Sequence, residues 1–390
     1  MDDRGILELL QAMVRAPSHT GVPRQEEAAA GALAAYLRGR GVPAELVEVR
    51  DGRPNLIATL AGKRPGPHLL FCGHLDTVPP NSGAAGDLFS ATVDSGRVFG
   101  RGTVDMKGAL AAMAGALAGI RESGGLDSGR VTLAAVVDEE MESIGAEALI
   151  RSGFKADGAV VGEPTGNRVA VGHKGLEWFE VTFTGKAAHG GTPEAGVNAI
   201  AAAAHFVSLV ERELVPGFER RRDPALGLPA INMGTIRGGQ QPSMVAADCA
   251  IQLDRRWVTT ETIEQVFDDI EALLARVREA RPGLRTKLAR MPGGMATMLH
   301  GPLVIDRGHP LVVSALAAFG DVGLAVPATD VFPAWTDGAL LAREAGIPAI
   351  IWGPGALELA HSPEESLPIE DLYQAARLYA AAARRFTATR

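Results

Sequence analysis

The chain has 390 residues, 38 of them basic and 46 acidic, and its formal charge of −8 excludes the basic face that nucleic-acid binding needs. A hydrophobic share of 46 % and a charged share of 22 % belong to a folded globular protein, not a disordered or fibrous one, and the length suits two or three domains. Cys72 and Cys249 are too few for a disulfide framework, the acidic start (Asp2, Asp3, Glu8) has no signal-peptide pattern, and no apolar run is long enough to span a bilayer. The expectation is a cytoplasmic protein with no membrane partner.

In chain order, Ile6 to Val14 repeats apolar residues at helix spacing and stops near Pro17, and Glu26 to Arg40 reads as a second helix ending at Gly41. Leu56–Leu60 and His68–Cys72 read as strands, Met106–Glu122 as a helix and Val131–Val137 as a buried strand. Helix Ala146–Ser152 and strand Gly158–Val161 follow. Continuous apolar strands alternating with helices predict a mainly parallel sheet. Near Gly175 the pattern changes. Glu177–Thr184 alternates apolar and polar residues, then come helix Val197–Arg212, a Pro/Gly/Arg-rich loop from Val215 to Pro229, strands Ala230–Ile236 and Val245–Arg255, helix Thr262–Arg281 and a short strand at Arg285–Ala289. This β-α-β-β-α-β order is that of a two-layer ferredoxin-like unit. Helix Leu311–Phe319, strand Ile347–Trp352 and helix Ile369–Phe386 then resume the first pattern. The fold class is therefore α/β: a mainly parallel-sheet domain (1–174 and 296–390) interrupted by an inserted α+β domain (175–295).

Ionisable residues gather at the carboxyl ends of the predicted core strands, where open α/β sheets bind ligands. HLLFC runs into Gly73-His74-Leu75-Asp76, VTLAAVV into Asp138-Glu139-Glu140, and GAVVG into Glu163; Asp105 in GRGTVDMKG and His361 in AHSPEE join them. So many carboxylates cannot share a pocket without cations. Oxygen ligands with one or two imidazoles suit zinc, with cobalt or manganese fitting similar sets. Five ligands are too many for one open catalytic zinc, so two ions are expected. Asp105 bridges them, His74 and Glu163 complete one set, and Glu140 and His361 complete the other. Asp76 is placed to orient the His74 ring, and Glu139 is the spare carboxylate suited to be the general base. Each residue has a plainer alternative: a strand-end hydrogen bond for His74, a helix N-cap for Asp105, a solvated pair for Glu139 and Glu140.

Six motifs span nearly the whole chain: GHLDTVP (73–79), GRGTVDMKGAL (100–110), DEE (138–140), GEPT (162–165), GKAAHGGTPEAGVNAI (185–200) and AHSPEE (360–365). In this order they resemble the dinuclear-zinc amidohydrolase and exopeptidase family, which includes succinyl-diaminopimelate desuccinylase, acetylornithine deacetylase, aminoacylase and bacterial glutamate carboxypeptidase. The resemblance implies that the inserted domain is a lid through which the chain forms a homodimer. It implies that His189 stabilises the oxyanion at the scissile carbonyl, and that Arg256 holds the carboxylate of a small-molecule substrate. Ser243 and Ala246 depart from the Asn and Pro of many members, which bears on the substrate and not on the reaction. The expected activity is hydrolysis of the amide bond of an N-acyl amino acid or small peptide with a free carboxylate. A dipeptidase or carboxypeptidase, and a non-catalytic metal- or metabolite-binding protein, remain open alternatives.

Overall fold

The computed structural model describes residues 1–81 and 87–388. By its contacts the chain divides into two compact units, Met1–Gly172 with Leu303–Arg390, and His173–Pro302. The breaks fall at 173 and 302, not at the 175 and 295 read from patterning. Residues near 300 belong with the inserted unit because the Leu176 N–H donates to the His300 carbonyl at 2.9 Å.

The first unit is built on a long sheet. Its strands lie in the order Ala44–Arg50, Arg53–Ala61, Arg130–Val136, His68–His74, Gly158–Val161, Ala349–Ile351, Ala170–His173 and Leu303–Val304, with Asp330–Phe332 paired to Ala170–His173. The four central strands, from Arg130–Val136 to Ala349–Ile351, run parallel, and antiparallel strands flank them. They are almost wholly buried, which is why they read as unbroken apolar runs. Helix Lys107–Glu122 is also buried nearly all round, and its small residues permit close packing on Asp3–Val14 and Ile369–Ala388. At Gly115 a Cβ would lie 2.4 Å from the Ile6 Cδ1 atom, so a larger residue there would require the Ile6 side chain to shift. A small antiparallel sheet of Ser366–Pro368, Arg97–Phe99 and Thr92–Asp94 ties the C-terminal segment to the loop ahead of Asp105.

The second unit is a four-stranded antiparallel sheet in the order Ala230–Gly238, Asp248–Trp257, Gly175–Thr184, Arg285–Arg290. Helices Ala199–Leu209 and Ile263–Glu279 share a core with one of its faces, burying Phe179, Val181, Phe183, Ile251 and Leu253. The chain order and strand order are those of a ferredoxin-like unit. The side chain of Thr262 and that of Gln265 form a capping box that starts the second helix. Elsewhere the structure departs from the pattern. Helix Ala199–Leu209 passes into a π turn, Val210–Leu214, and the strand expected at Val245 begins at Asp248. Among the described residues no helix is long and apolar enough to cross a membrane.

Candidate metal centre

Parallel register sets the site. His74 closes its strand opposite Val136, so Asp138, Glu139 and Glu140 emerge beside it. On the other side Cys72 pairs with Val161, so Glu163 emerges at the same sheet edge. Asp105 is delivered by the loop before helix Lys107–Glu122, and the Asp105–Met106 peptide is cis. That loop is held by Glu365. One carboxylate oxygen of Glu365 accepts from the backbone N–H groups of Gly102 (2.9 Å), Val104 (3.0 Å) and Asp105 (3.2 Å), and the other pairs with Arg101 at 2.5 Å. Gly102 sits at φ +86°, a conformation that favours glycine. The same guanidinium and Asn81 bond the His361 carbonyl at 3.2 and 3.0 Å, so one short segment fixes both the Asp105 loop and His361.

The five expected ligands come together. Asp105 Oδ1 is 3.0 Å from His74 Nε2, and Asp105 Oδ2 is 3.1 Å from His361 Nε2. Glu140 Oε1 is 3.1 Å from the same His361 nitrogen, and Glu163 Oε1 is 3.9 Å from His74 Nε2. Ligand atoms of His74, Asp105 and Glu140 all lie within 4.8 Å of one another. His74, Asp105 and Glu163 are buried, whereas the His361 side chain keeps 49 % of its surface open to solvent.

Asp76 is buried next to His74, but its carboxylate is engaged elsewhere. The backbone carbonyl of Asp76 lies 2.9 Å from His74 Nδ1, while its Oδ1 lies 3.5 Å away. The two carboxylate oxygens accept instead from the N–H groups of Glu139 (3.1 Å) and Glu140 (3.0 Å). A carboxylate facing two free backbone donors satisfies both, and the ring takes the carbonyl. Asp76 thereby holds the turn that presents Glu139.

The electrostatics are those of an acidic cluster short of positive charge. Burial, then the neighbouring charge of Glu163, pushes Glu139 well above the usual carboxylate range, and burial with Asp105 does the same to Glu163. Burial lifts Asp76 to about 7. Hydrogen bonds to Asp105 and Glu140 push His361 up to about 10. Burial opposes charge on His74, yet the hydrogen bond to Asp105 and the nearby carboxylates hold its pKa well above the ordinary imidazole value. For Asp105, burial is outweighed by the hydrogen bonds from His361 and His74, which carry it well below the usual range. Such a site holds protons to offset repulsion between carboxylates, and divalent cations would relieve the same repulsion. The oxygen and imidazole donors therefore fit metal ions, one oxygen of Asp105 being available to each of two.

The second unit carries the remaining two candidates. His189 is exposed on a glycine-rich turn whose Gly190 N–H donates to the Ser243 carbonyl at 2.7 Å, so the segment that departs from the family pattern supports this turn. The Gly191 N–H donates to His189 Nδ1 at 3.1 Å, which places the neutral ring's proton on Nε2. Arg255 and Arg256 point to opposite faces: Arg255 is buried on Glu261 and Phe218, while Arg256 is half-buried in a two-pronged pair with Asp254 at 2.7 and 2.9 Å. Thus Nε and Nη2 of Arg256 are engaged by Asp254.

Three residues of the first unit were given no role by motif reading. Glu365 lies within AHSPEE, but a clamp on backbone amides leaves no periodic trace. Asp337, ahead of helix Gly338–Glu344, reads at most as a helix cap. It is buried and lifted to about 6 by burial against the pull of the Ser143 hydroxyl, and its charge reaches Glu139 and Glu163. Lys107 is fully buried, its ammonium donating to the carbonyls of Met13 and Ala16, each at 2.9 Å. Those bonds tie the base of the site to the first helix. A lysine directly after DM in an otherwise apolar helix start is the one sequence signal that could have revealed it.

Comparison with known proteins is consistent along the chain. The family described as Peptidase family M20/M25/M40 matches residues 70–385. An acetylornithine deacetylase of Proteus mirabilis is 30 % identical over 381 residues, covering 92 % of this chain and 91 % of that one. An N-formyl-4-amino-5-aminomethyl-2-methylpyrimidine deformylase of Bacillus subtilis is 28 % identical over 397 residues, with 95 % and 91 % covered. Among solved structures, the aminopeptidase PepT of Bacillus cereus superposes with a TM-score of 0.80 at 22 % identity, covering 99 % of both chains.

Proposed function

This chain belongs to peptidase family M20/M25/M40, hydrolases of amide bonds, and from that premise we propose that it is a dinuclear deacylase acting on an N-acyl amino acid or small peptide with a free carboxylate. The observation that carries the reading is Asp105, which offers one carboxylate oxygen to each of two imidazoles. His74 and Glu163 complete one ligand set with it, and Glu140 and His361 the other. Zinc suits these donors best, and cobalt or manganese fits them too. Two such ions supply Lewis acidity toward the substrate carbonyl and lower the pKa of water.

Glu139, on the turn held by Asp76, accepts a proton from the attacking water and passes it to the leaving nitrogen. A C–O bond forms as the C–N bond breaks, and the products are a carboxylic acid and an amine. The Nε2–H of His189 donates to the developing oxyanion. Arg256 anchors the substrate's carboxylate through Nη1, which its pair with Asp254 leaves unused. The inserted unit is a lid and the homodimer contact: its sheet ends in the edge strand Ala230–Gly238, where Ile236 is 55 % exposed. Two buried, unpaired cysteines suit work in the cytoplasm.

The test is a panel of N-acetyl, N-succinyl and dipeptide substrates run on metal-loaded and chelated enzyme. Turnover of at least one acyl amino acid, lost on chelation and restored by zinc, is expected. Undiminished turnover after chelation, or none on any substrate with metal bound in stoichiometric amount, would overturn the reading.

A further inference from the structure

A cavity of about 300 Å³ in the first unit is walled by segments that run directly from two of the candidate ligands. Glu163 is followed by Pro164 and Thr165 on one wall, and His361 is preceded by Leu357 and Glu358 on another. The two segments are stitched together. The Thr165 N–H donates to the Gly353 carbonyl (3.1 Å), the Gly353 N–H donates to Thr165 Oγ1 (3.1 Å), and the Gly166 N–H donates to the Gly355 carbonyl (2.7 Å). The third wall, Asp330 to Pro333, is held by the Asp330 N–H on the Val169 carbonyl (2.9 Å) and by the Arg168–Asp330 pair (3.2 Å). Two of the cavity's walls are thus continuous in the chain with Glu163 and His361.

We propose that this cavity is the acyl-group pocket, and that it takes an acyl group about the size of an amino-acid residue carrying no negative charge. The inference rests on the deacylase reading above and names its substrate class. Size is the first argument. At about 30 Å³ for each water-sized group, the volume holds roughly ten non-hydrogen atoms, far more than a formyl or acetyl group supplies. Chemistry is the second. Val331, Pro333 and Leu357 offer apolar surface, backed by the buried Phe332 and Ala170. The charged lining consists of Arg168 against Asp330 and Glu358, an excess of negative charge that disfavours a succinyl carboxylate. The substrate's free carboxylate belongs to the amine product, so the acyl half is the part left for this pocket.

The experiment is a series of N-formyl, N-acetyl, N-hexanoyl, N-benzoyl and N-succinyl derivatives of each amino acid the enzyme accepts, assayed on the zinc-loaded full chain. We expect kcat/KM for hexanoyl or benzoyl to exceed acetyl at least tenfold, and succinyl to fall at least tenfold below hexanoyl. Ala356 is an exposed wall residue with extended backbone (φ −105°), so Ala356→Trp fills the cavity without strain and should lower the hexanoyl-to-acetyl ratio about tenfold. Glu358→Gln, at an exposed position, should raise succinyl turnover severalfold. Preference for formyl or acetyl groups, or unchanged ratios in both variants, would overturn the pocket while leaving the deacylase standing. Absence of turnover on every acyl derivative would instead strike the reading beneath it.

Discussion

The two units treat their candidate residues in opposite ways. In the first, His74, Asp105, Glu140, Glu163 and His361 are drawn from five separate stretches of chain and end within hydrogen-bonding or ion-pairing reach of one another. In the second, His189 is exposed on a turn that it helps to close, and Arg256 is already paired with Asp254. The lesson is that a buried acidic cluster is organised by its own fold, through register, Asp76 and the Glu365 clamp, and is poised for cations. The second unit presents groups whose hydrogen bonds are completed within their own segments.

The contrast can be broken most sharply at Glu139. Glu139→Ala should lower kcat by about 10²–10⁴-fold while metal content stays at the wild-type value, as expected of a proton carrier outside the ligand sets. Loss of metal together with activity, read by elemental analysis of the variant, would make Glu139 a ligand instead. Glu365 tests whether the clamp organises the cluster. Glu365→Gln keeps the shape but loses the charge beside Arg101, and should weaken zinc affinity or activity about 10–100-fold in a competitive chelator titration.

On the other side of the contrast, Arg256→Ala should raise KM for carboxylate-bearing substrates by about tenfold or more, from loss of a charged hydrogen bond, with metal content untouched. Arg256→Lys should restore little, since a point charge cannot replace a planar fork shared with Asp254. An equal loss on the corresponding carboxamide substrates would remove the anchor.

The smallest effect concerns stability. His68 opens the central strand, buried with Nε2 2.8 Å from the Thr132 hydroxyl, and burial lowers its pKa to about 4 from an ordinary 6.5. The unfolded chain therefore takes the proton first as pH falls, and this residue's contribution to stability is lost between 6.5 and about 4. Thermal melts across that window should fall less steeply for His68→Gln than for the wild type; parallel curves would remove the effect.

How much of this was legible in the sequence depended on the kind of pattern involved. Fully buried parallel strands leave continuous apolar runs, so His68–His74 and Gly158–Val161 and the acids that follow them were readable. The edge strand Ala44–Arg50 is mostly exposed and carries no such run, and the small sheet around Arg97–Phe99 has strands of three residues, so neither was foreseen. Asp76 was placed beside His74, but which donors its carboxylate would meet depended on the Glu139–Glu140 turn, a contact across 63 residues. The Glu365 clamp reaches across 263 residues to Gly102 and obeys no periodicity. Long-range satisfaction of backbone donors is settled only when the chain folds.

The most direct test is a zinc titration of the metal-free wild-type chain, followed by equilibrium dialysis and elemental analysis. The account predicts two tightly held equivalents per chain, reduced by Asp105→Asn at both positions because that one side chain serves each ion. A plateau at a single equivalent, or two equivalents held as firmly by Asp105→Asn, would contradict it.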